Sequence, residues 1–227
     1  TVLPMTTTTY FAQGIDANSC SVVGSFQVIV NELFPGNLSS SSNVVCSGSV
    51  PPLIKGDGIL GGAQASGGYT SDPYVYQWGT VDNGVFSAFN SSNTPNYQPV
   101  NPITANTTFR RKTFNQGVTV STDFSFSVNP LPTIGISVSP STIAPGGTAT
   151  LSGSGGSSYV FKDGAGATVG ASIILTTAGT YTYTAVGTDA NTTCSANSTG
   201  SATLTVSNVV PGSLTVPTDL DLCIGEK

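Results

Sequence analysis

The stretch that decides the fold is Gly179-Thr180-Tyr181-Thr182-Tyr183, which is followed by a second alternating run, Ala202-Thr203-Leu204-Thr205-Val206. In both runs threonine alternates with another residue, and after a small first residue that other residue is aromatic or large and apolar. A period of two places these side chains on one face of an extended strand. A polar segment separates the runs, so the pair is predicted to form a β-hairpin with one buried face.

The same hairpin pattern occurs three times along the chain. Each copy has a strand that contains threonine and an aromatic residue, then a polar turn, then a second alternating strand close to a proline. The copies begin at Thr8-Thr9-Tyr10-Phe11, at Thr107-Thr108-Phe109-Arg110-Arg111 and at Gly179-Thr180. Internal repeats of this kind indicate similar domains in series.

Residues 131–208 show the strand rhythm most clearly. Ile134, Ile136 and Val138 alternate in a first strand, and Pro145-Gly146-Gly147 predicts a tight turn after it. The segment holds about seven predicted strands, a number typical of an immunoglobulin-like β-sandwich. We therefore predict an all-β fold of tandem immunoglobulin-like sandwich domains arranged end to end.

The three hairpins, taken as the last two strands of a domain each, divide the chain into four parts. Residues 1–36 are predicted to be the C-terminal part of an immunoglobulin-like domain, and residues 37–130 a complete one. Residues 131–208 are predicted to form an immunoglobulin-like or PKD-like domain, and residues 209–227 to start a further one. On this division both chain ends cut through domains, which predicts a piece of a longer protein.

Aromatic residues mark the predicted cores. In Tyr74-Val75-Tyr76-Gln77-Trp78 the alternation places Trp78 and Tyr76 on one face, which favours a core role over an exposed sugar-stacking platform. Tyr181 and Tyr183 are predicted to lie in the core of the next domain. A ligand-binding role would have to use other rings, and the candidates are Tyr69, Tyr74, Phe86, Phe89 and Tyr97.

Composition excludes several classes of function. Only 7% of the residues are charged and the net charge is −5. Nucleic-acid binding needs clustered basic residues, and Arg110-Arg111-Lys112 is the only basic run, so no nucleic-acid partner is expected. No apolar run approaches the length of about 18 residues that a membrane helix needs, so no membrane span is expected in this segment.

Catalytic chemistry is not expected either. The chain has no His, which removes Ser-His-Asp and Cys-His arrangements. Most Asp residues stand beside Gly or Asn in predicted turns. We predict a protein that is not an enzyme and has no cofactor. Calcium is the one metal considered, at Asp189-Ala190-Asn191 or Asp219-Leu220-Asp221, although neither segment completes a ligand set.

Several motifs in fixed order give the chain a family resemblance. They are Val44-Val45-Cys46-Ser47-Gly48, Tyr74-Val75-Tyr76-Gln77-Trp78, Asn96-Tyr97-Gln98-Pro99, Thr107-Thr108-Phe109-Arg110-Arg111 and Val128-Asn129-Pro130-Leu131-Pro132. The order resembles the tandem immunoglobulin-like and PKD-like repeats of large Bacteroidota surface proteins, among them the gliding-motility adhesins exported by type IX secretion.

The resemblance implies an extracellular location on the outer cell surface. It also implies a structural repeat segment of a long adhesin filament, which the repeats space and stiffen for surface attachment or gliding. The implied partners are neighbouring immunoglobulin-like domains of the same chain, surface glycans and the secretion or motility machinery. Related repeats also occur in secreted enzymes, so the alternative is a carbohydrate-binding or accessory module of a secreted multidomain hydrolase.

The four cysteines are of two positional types. Cys20 and Cys194 precede a domain's last strand, whereas Cys46 and Cys223 lie near the end of a first strand, so neither complete domain carries both types. One hypothesis is a Cys46–Cys194 bridge across the junction of the two complete domains, with Cys20 and Cys223 pairing outside the segment. The rival is Cys20–Cys46 with Cys194–Cys223. Free buried thiols are the third alternative. The family's repeats often carry two cysteines each, and this chain departs from that pattern.

Overall fold

A computed structural model describes residues 6–30, 32–59, 61–68, 73–89 and 93–208. Within these ranges the regular secondary structure is entirely β-strand. The predicted all-β class is therefore confirmed. The chain separates into two compact units, Thr1–Asn129 and Pro130–Lys227. The finer domain boundaries at residues 36 and 208 stay predictions.

The first unit contains nine described strands. They are β1 Thr8–Ile15, β2 Ser21–Val28, β3 Leu33–Phe34, β4 Val44–Cys46, β5 Ser66–Gly67, β6 Val75–Asp82, β7 Val85–Ala88, β8 Thr107–Asn115 and β9 Val118–Asn129. Strands β1 and β2 form a two-stranded sheet of their own, and β3 pairs with β5. The main sheet has the order β4-β9-β8-β6-β7.

In that main sheet β4 runs parallel to β9, with Val45 opposite Val128, and the other neighbours are antiparallel. The inward face carries Trp78, Phe109 and Phe126, which pack with Ile54 as the buried cluster of this unit. Alternation along β6, β8 and β9 explains why these rings share one face.

The layer that faces this sheet consists largely of irregular chain. It has isolated bridges between Ser39 and Lys55 and between Ile54 and Tyr97 in place of long strands. The sequence predicts a sandwich here, and the second layer is present, but prolines and glycines in residues 35–62 and 95–102 limit regular strand pairing.

The second unit contains a further nine described strands. They are β10 Gly135–Ser139, β11 Thr142–Ile143, β12 Thr148–Ser154, β13 Ser158–Asp163, β14 Thr168–Val169, β15 Ser172–Ile174, β16 Gly179–Thr188, β17 Ser195–Asn197 and β18 Ala202–Val206. One sheet has the order β10-β12-β15, and the other has the order β11-β18-β16-β13-β14 with β17 beside β16.

These two sheets enclose one core. Leu151 and Ile173 come from the first sheet, and Phe161, Tyr183 and Leu204 come from the second. The first strand divides at Pro140, so that β10 lies in one sheet while β11 pairs in parallel with the last strand, β18. Two packed sheets that share a divided first strand form an immunoglobulin-like β-sandwich.

A buried arginine holds the irregular layer of the first unit against its sheet. Arg111 lies on β8 and its side chain is fully buried. Nη1 donates to the carbonyl oxygens of Gly56 at 2.7 Å and Pro95 at 2.9 Å, and Nη2 donates to the carbonyl oxygen of Pro35. The guanidinium also lies over the Tyr76 ring, 5.2 Å from its centroid. One side chain thus ties three separate loops to the sheet.

Close packing around this guanidinium explains the glycine at position 56. A Cβ at Gly56 would collide with Nη1 of Arg111, so only glycine leaves room for the donor to reach the carbonyl. Burial lowers the pKa of Arg111 below its ordinary value, because removal from water disfavours the charged form.

The two residues that flank Arg111 face the other way. Arg110 forms a two-pronged ion pair with Asp123 on β9, with Nε–Oδ1 at 2.6 Å and Nη2–Oδ2 at 2.7 Å, on a partly exposed surface. The Lys112 ammonium lies 4.2 Å from the centroid of Phe86. The basic run therefore divides by alternation into one buried clamp and two outward cations.

We expect Arg111→Met to destabilise the first unit by about 2–4 kcal/mol, because one buried and two partly buried carbonyl groups lose their donor. Arg110→Met is the matched control on the same strand, and a partly exposed ion pair contributes at most about 1 kcal/mol. Urea unfolding followed by fluorescence measures the difference, since the single tryptophan, Trp78, is buried in this unit. Equal midpoints for the two variants would contradict the clamp.

Candidate functional site

The cysteines are the first candidate site, and three of them lie in the described residues. Cys46 and Cys194 are both disulfide-bonded, whereas Cys20 is a free and exposed thiol. Cys223 lies outside the described residues. It could form a disulfide with Cys46 or with Cys194, but not with both. Since both are bonded and Cys20 is not, the bridge is Cys46–Cys194.

This pairing confirms the Cys46–Cys194 bridge of the first hypothesis, whereas the pairing of Cys20 and Cys223 outside the segment stays a prediction. The rival arrangement is wrong, because it requires Cys20 to be bonded to Cys46. Free thiols at Cys46 and Cys194 are excluded in the same way. Disulfides persist in oxidising compartments and are rare in the cytosol, which is consistent with an extracellular protein.

The loops that hold Cys20 and Cys194 have one construction. Asp16 and Asp189 start them, in the sequences Asp16-Ala17-Asn18 and Asp189-Ala190-Asn191. In each loop the Asp backbone N–H donates to the carbonyl oxygen of the cysteine at 3.0 Å. The residue before each cysteine has a positive φ, 64° at Ser19 and 59° at Thr193. The turns differ by one residue in length, since Cys20 is four residues after Asp16 and Cys194 is five residues after Asp189, but each cysteine closes its turn in the same way.

The same loop accounts for the first calcium candidate. Oδ1 of Asp189 accepts the backbone N–H of Asn191 at 2.7 Å, as Oδ1 of Asp16 accepts that of Asn18 at 2.9 Å. This is the ordinary role of an aspartate that starts a turn. The second candidate, Asp219-Leu220-Asp221, lies outside the described residues. Within the described ranges no group of three or more His, Cys, Asp or Glu side chains is placed to hold a metal ion.

The aromatic residues predicted to form the cores lie as follows. Trp78 is fully buried, and its Nε1 donates to the carbonyl oxygen of Thr94 at 2.9 Å. Tyr76 and Tyr183 are also buried, and Tyr181 is half-buried against the core of the second unit. Burial raises the pKa of Tyr183 above its ordinary value of 10.0, so the phenol stays neutral.

Two of the five rings considered for ligand binding come together. Phe89 and Tyr97 stack with centroids 5.0 Å apart, and Tyr97 stacks in turn on Trp78 at 5.4 Å. Tyr74 lies beside Tyr76, with its hydroxyl donating to the carbonyl oxygen of Gly67 at 2.9 Å. Phe86 lies beneath Lys112, and Tyr69 is outside the described residues.

The Phe89–Tyr97 pair lies at an open cleft of about 450 Å³ on the first unit. Its apolar floor includes Phe109 and Ile103, and Gln98 and Asn101 add amide groups to its lining. Burial raises the pKa of Tyr97, because removal from water disfavours the charged phenolate. The sequence offered both rings as candidates, but nothing in it indicated Ile103 or Asn101, because the loop that carries them has no periodic pattern.

None of the described segments is a helix long and apolar enough to cross a bilayer.

No protein-family model and no curated protein matches this chain. Among solved structures, it is similar to the N-terminal four Ig domains of Dscam1 isoform 7.44, with 13% identity and a TM-score of 0.31 over 88% of this chain and 54% of that one. The chain therefore spans about half the length of the Dscam1 structure.

Two further similarities are to solved multidomain chains. The fibronectin(III)-like modules of Clostridium thermocellum CbhA give 12% identity and a TM-score of 0.36, over 74% of this chain and 93% of that one. The titin domains z1z2 in complex with telethonin give 16% identity and a TM-score of 0.33, over 80% of this chain and 100% of that one. These values are too low to transfer a partner or an activity to this chain.

Peptide mapping without reductant tests the bridge. Digestion with trypsin, Glu-C and Asp-N places Cys20, Cys46 and Cys194 on separate peptides, residues 16–32, 33–55 and 189–218. We expect one disulfide-linked pair, 33–55 with 189–218, and an alkylated thiol on 16–32. A peptide 16–32 linked to 33–55 would instead support the rival pairing.

Proposed function

We propose that this chain is a structural segment of a long secreted adhesin on the outer surface of a cell. Its immunoglobulin-like domains would space and stiffen the filament for surface attachment or gliding. The observation that carries the proposal is that Cys46 and Cys194, which are far apart in the sequence, are both disulfide-bonded whereas Cys20 is free. A cross-link between distant parts of a chain restricts the conformations open to it.

The proposed role is non-catalytic and uses no cofactor. The chain has no His, and Asp16, Asp163 and Asp189 each accept backbone N–H groups within their own turns. Neighbouring immunoglobulin-like domains of the same polypeptide are the proposed partners, together with surface glycans and the secretion or motility machinery. Export by type IX secretion belongs to the proposal and rests on the resemblance of the motifs alone.

A filament under tension makes use of such a bridge. The chain places 147 residues between Cys46 and Cys194. With the bridge closed, a pull on the two chain ends passes from one cysteine to the other, and the residues between them bear no load. These residues include β6, β8 and β9 of the first unit and β10 to β16 of the second. The disulfide would therefore protect these strands from direct loading.

Single-molecule pulling on the two chain ends tests this role. We expect the oxidised chain to release no length from residues 47–193. Reductant or Cys46→Ser should add about 500 Å of extension, since an extended residue spans at most about 3.3–3.6 Å. Cys20→Ser is the matched control and should behave as the unmodified chain, because Cys20 is free. Release of the full length from the oxidised chain would rule out load bypass.

A second candidate function is saccharide binding at the Phe89–Tyr97 cleft, as in a carbohydrate-binding or accessory module of a secreted hydrolase. The observation that favours it is the pair of stacked rings at an open cleft with amide groups in the lining. Aromatic rings pack against the apolar faces of sugars, and a few polar groups fix orientation in most small-molecule sites.

A glycan array with the full chain, followed by titration of any bound glycan, tests this candidate. We expect Phe89→Ala to weaken binding about tenfold, as loss of one aromatic contact of about 1.4 kcal/mol implies. Phe86→Ala is the matched control, because Phe86 lies beneath Lys112 and is not part of the cleft lining. An array without a bound glycan would reject this candidate and leave the structural role untouched.

A further inference from the structure

The second unit carries an open cleft of about 420 Å³ between its two sheets. Ile173 of β15 lines it from the first sheet, and Val169 of β14 and Tyr183 of β16 line it from the second. Val169, Leu175 and Tyr181 are only partly buried against the core at this place. The core of the sandwich therefore continues into a cleft with apolar walls, as small-molecule and side-chain sites do.

A buried tyrosine brings an unused hydroxyl to this cleft. The Tyr183 side chain is only 3% exposed, and its hydroxyl has no hydrogen-bond partner among the described residues. The oxygen is not fully enclosed, so it remains accessible from the cleft. The neighbouring Tyr181 differs, since its hydroxyl donates to the carbonyl oxygen of Thr177 at 3.0 Å. Buried phenols usually have a partner, and for Tyr183 a ligand in the cleft would supply it.

A carboxylate lies directly opposite this tyrosine. Asp163, at the end of β13, pairs with Tyr183 across the sheet, so the two side chains share a face with Cβ atoms about 5 Å apart. Oδ1 of Asp163 accepts the N–H groups of Ala165 and Ala167 at 3.0 and 2.9 Å, whereas Oδ2 accepts none from a described residue. Burial and this nearby charge both raise the pKa of Tyr183, because each disfavours the phenolate. The cleft thus offers a free carboxylate oxygen beside a free phenol.

The same cleft lies along an unpaired sheet edge. Strand β15 is the last strand of its sheet, and the carbonyl oxygen of Ala171, just before it, accepts the N–H of Leu151 at 2.8 Å. Hydrogen-bonded positions alternate along an antiparallel pair, so Ile173 also bonds to β12, while Ser172 and Ile174 direct their backbone groups to the free edge. A free edge of this kind can accept a further strand.

We propose that this cleft of the second unit binds an extended peptide segment that carries a lysine or an arginine. The segment adds to β15 as a strand, through the backbone groups of Ser172 and Ile174. Its basic side chain enters the cleft, where the aliphatic stem packs on the apolar walls and the charged head reaches Asp163 and Tyr183.

Charge favours a cationic occupant. Asp163 is the only charged residue among the described residues that line the cleft, and the chain as a whole has a net charge of −5, which attracts cationic partners. A carboxylate oxygen and a phenol oxygen both accept hydrogen bonds from an ammonium or a guanidinium group. The site goes beyond the proposed filament role, because it gives the second unit a partner of its own. It shares no lining residue with the Phe89–Tyr97 cleft.

NMR titration of the isotope-labelled full chain with a synthetic peptide, acetyl-Thr-Val-Thr-Lys-Thr-Val-Thr-amide, tests the proposal. We expect saturable shifts of the backbone amides of Ser172 and Ile174, together with slower exchange of these amides with solvent. The same peptide with glutamate in place of lysine should bind at least about tenfold more weakly, because it brings a second carboxylate to Asp163.

Two substitutions remove the polar groups of the cleft while keeping the fold. Asp163→Asn retains an oxygen for its turn but loses the charge, and Tyr183→Phe removes only a hydroxyl without a partner in the fold. Each should weaken binding of the lysine peptide about fivefold. Tyr183→Phe should also leave the thermal midpoint of unfolding unchanged. Asp189→Asn is the matched control, because Asp189 starts a turn of the same unit outside the cleft, and it should bind as the unmodified chain does.

A titration without saturable shifts would overturn the proposal. Equal affinity for the lysine and glutamate peptides would do so too, as would unweakened binding by Asp163→Asn or shifts that spare Ser172 and Ile174. None of these results bears on the disulfide or on load bypass, so failure of this site is distinguishable from failure of the filament role.

Discussion

A pleated sheet with one apolar face is stable in water only when another layer covers that face, and every part of this chain depends on that cover. In the second unit a second sheet supplies it, and Leu151 and Phe161 meet between the layers. In the first unit irregular loops supply it, and Arg111 holds them in place. The β1–β2 hairpin has neither kind of cover among the described residues, which accounts for the exposure of Phe11.

Arginine suits the task in the first unit because its planar group offers several donors in fixed directions. Carbonyl groups in irregular loops lack the regular N–H donors that a neighbouring strand supplies in a sheet, and a buried carbonyl without a donor is costly. A single guanidinium that reaches Pro35, Gly56 and Pro95 supplies three such groups at once. The energetic cost is a buried charge, and carbonyl dipoles and the Tyr76 ring offset part of it.

The alternation of side chains made the sheets predictable from the sequence. The irregular layer has no such pattern, so it could not be predicted. The hairpin predicted from Thr180 to Val206 matches strands β16 and β18 closely, because the geometry of a strand itself produces a side-chain period of two. The role of Arg111 could have been suspected, because it shares an inward position with Phe109. The acceptors of its hydrogen bonds could not have been predicted, because only the folded loops bring Pro35 and Pro95 near the guanidinium of Arg111. The cleft beside Tyr97 depends on the same loops.

The cysteines show where sequence reasoning ends. Cys20 and Cys194 lie in similar Asp-capped turns, which differ by one residue in length but share a backbone hydrogen bond from Asp to cysteine and a positive φ before the cysteine. One is bonded and the other is free. The conformation of the turn therefore does not decide whether a bridge forms. What decides it is whether a cysteine of the first-strand type is within reach, and that depends on the surrounding chain rather than on the residues next to the thiol. The positional rule limited the bridges to pairs of one early and one late cysteine, but it allowed both Cys46–Cys194 and the rival Cys20–Cys46 and could not choose between them.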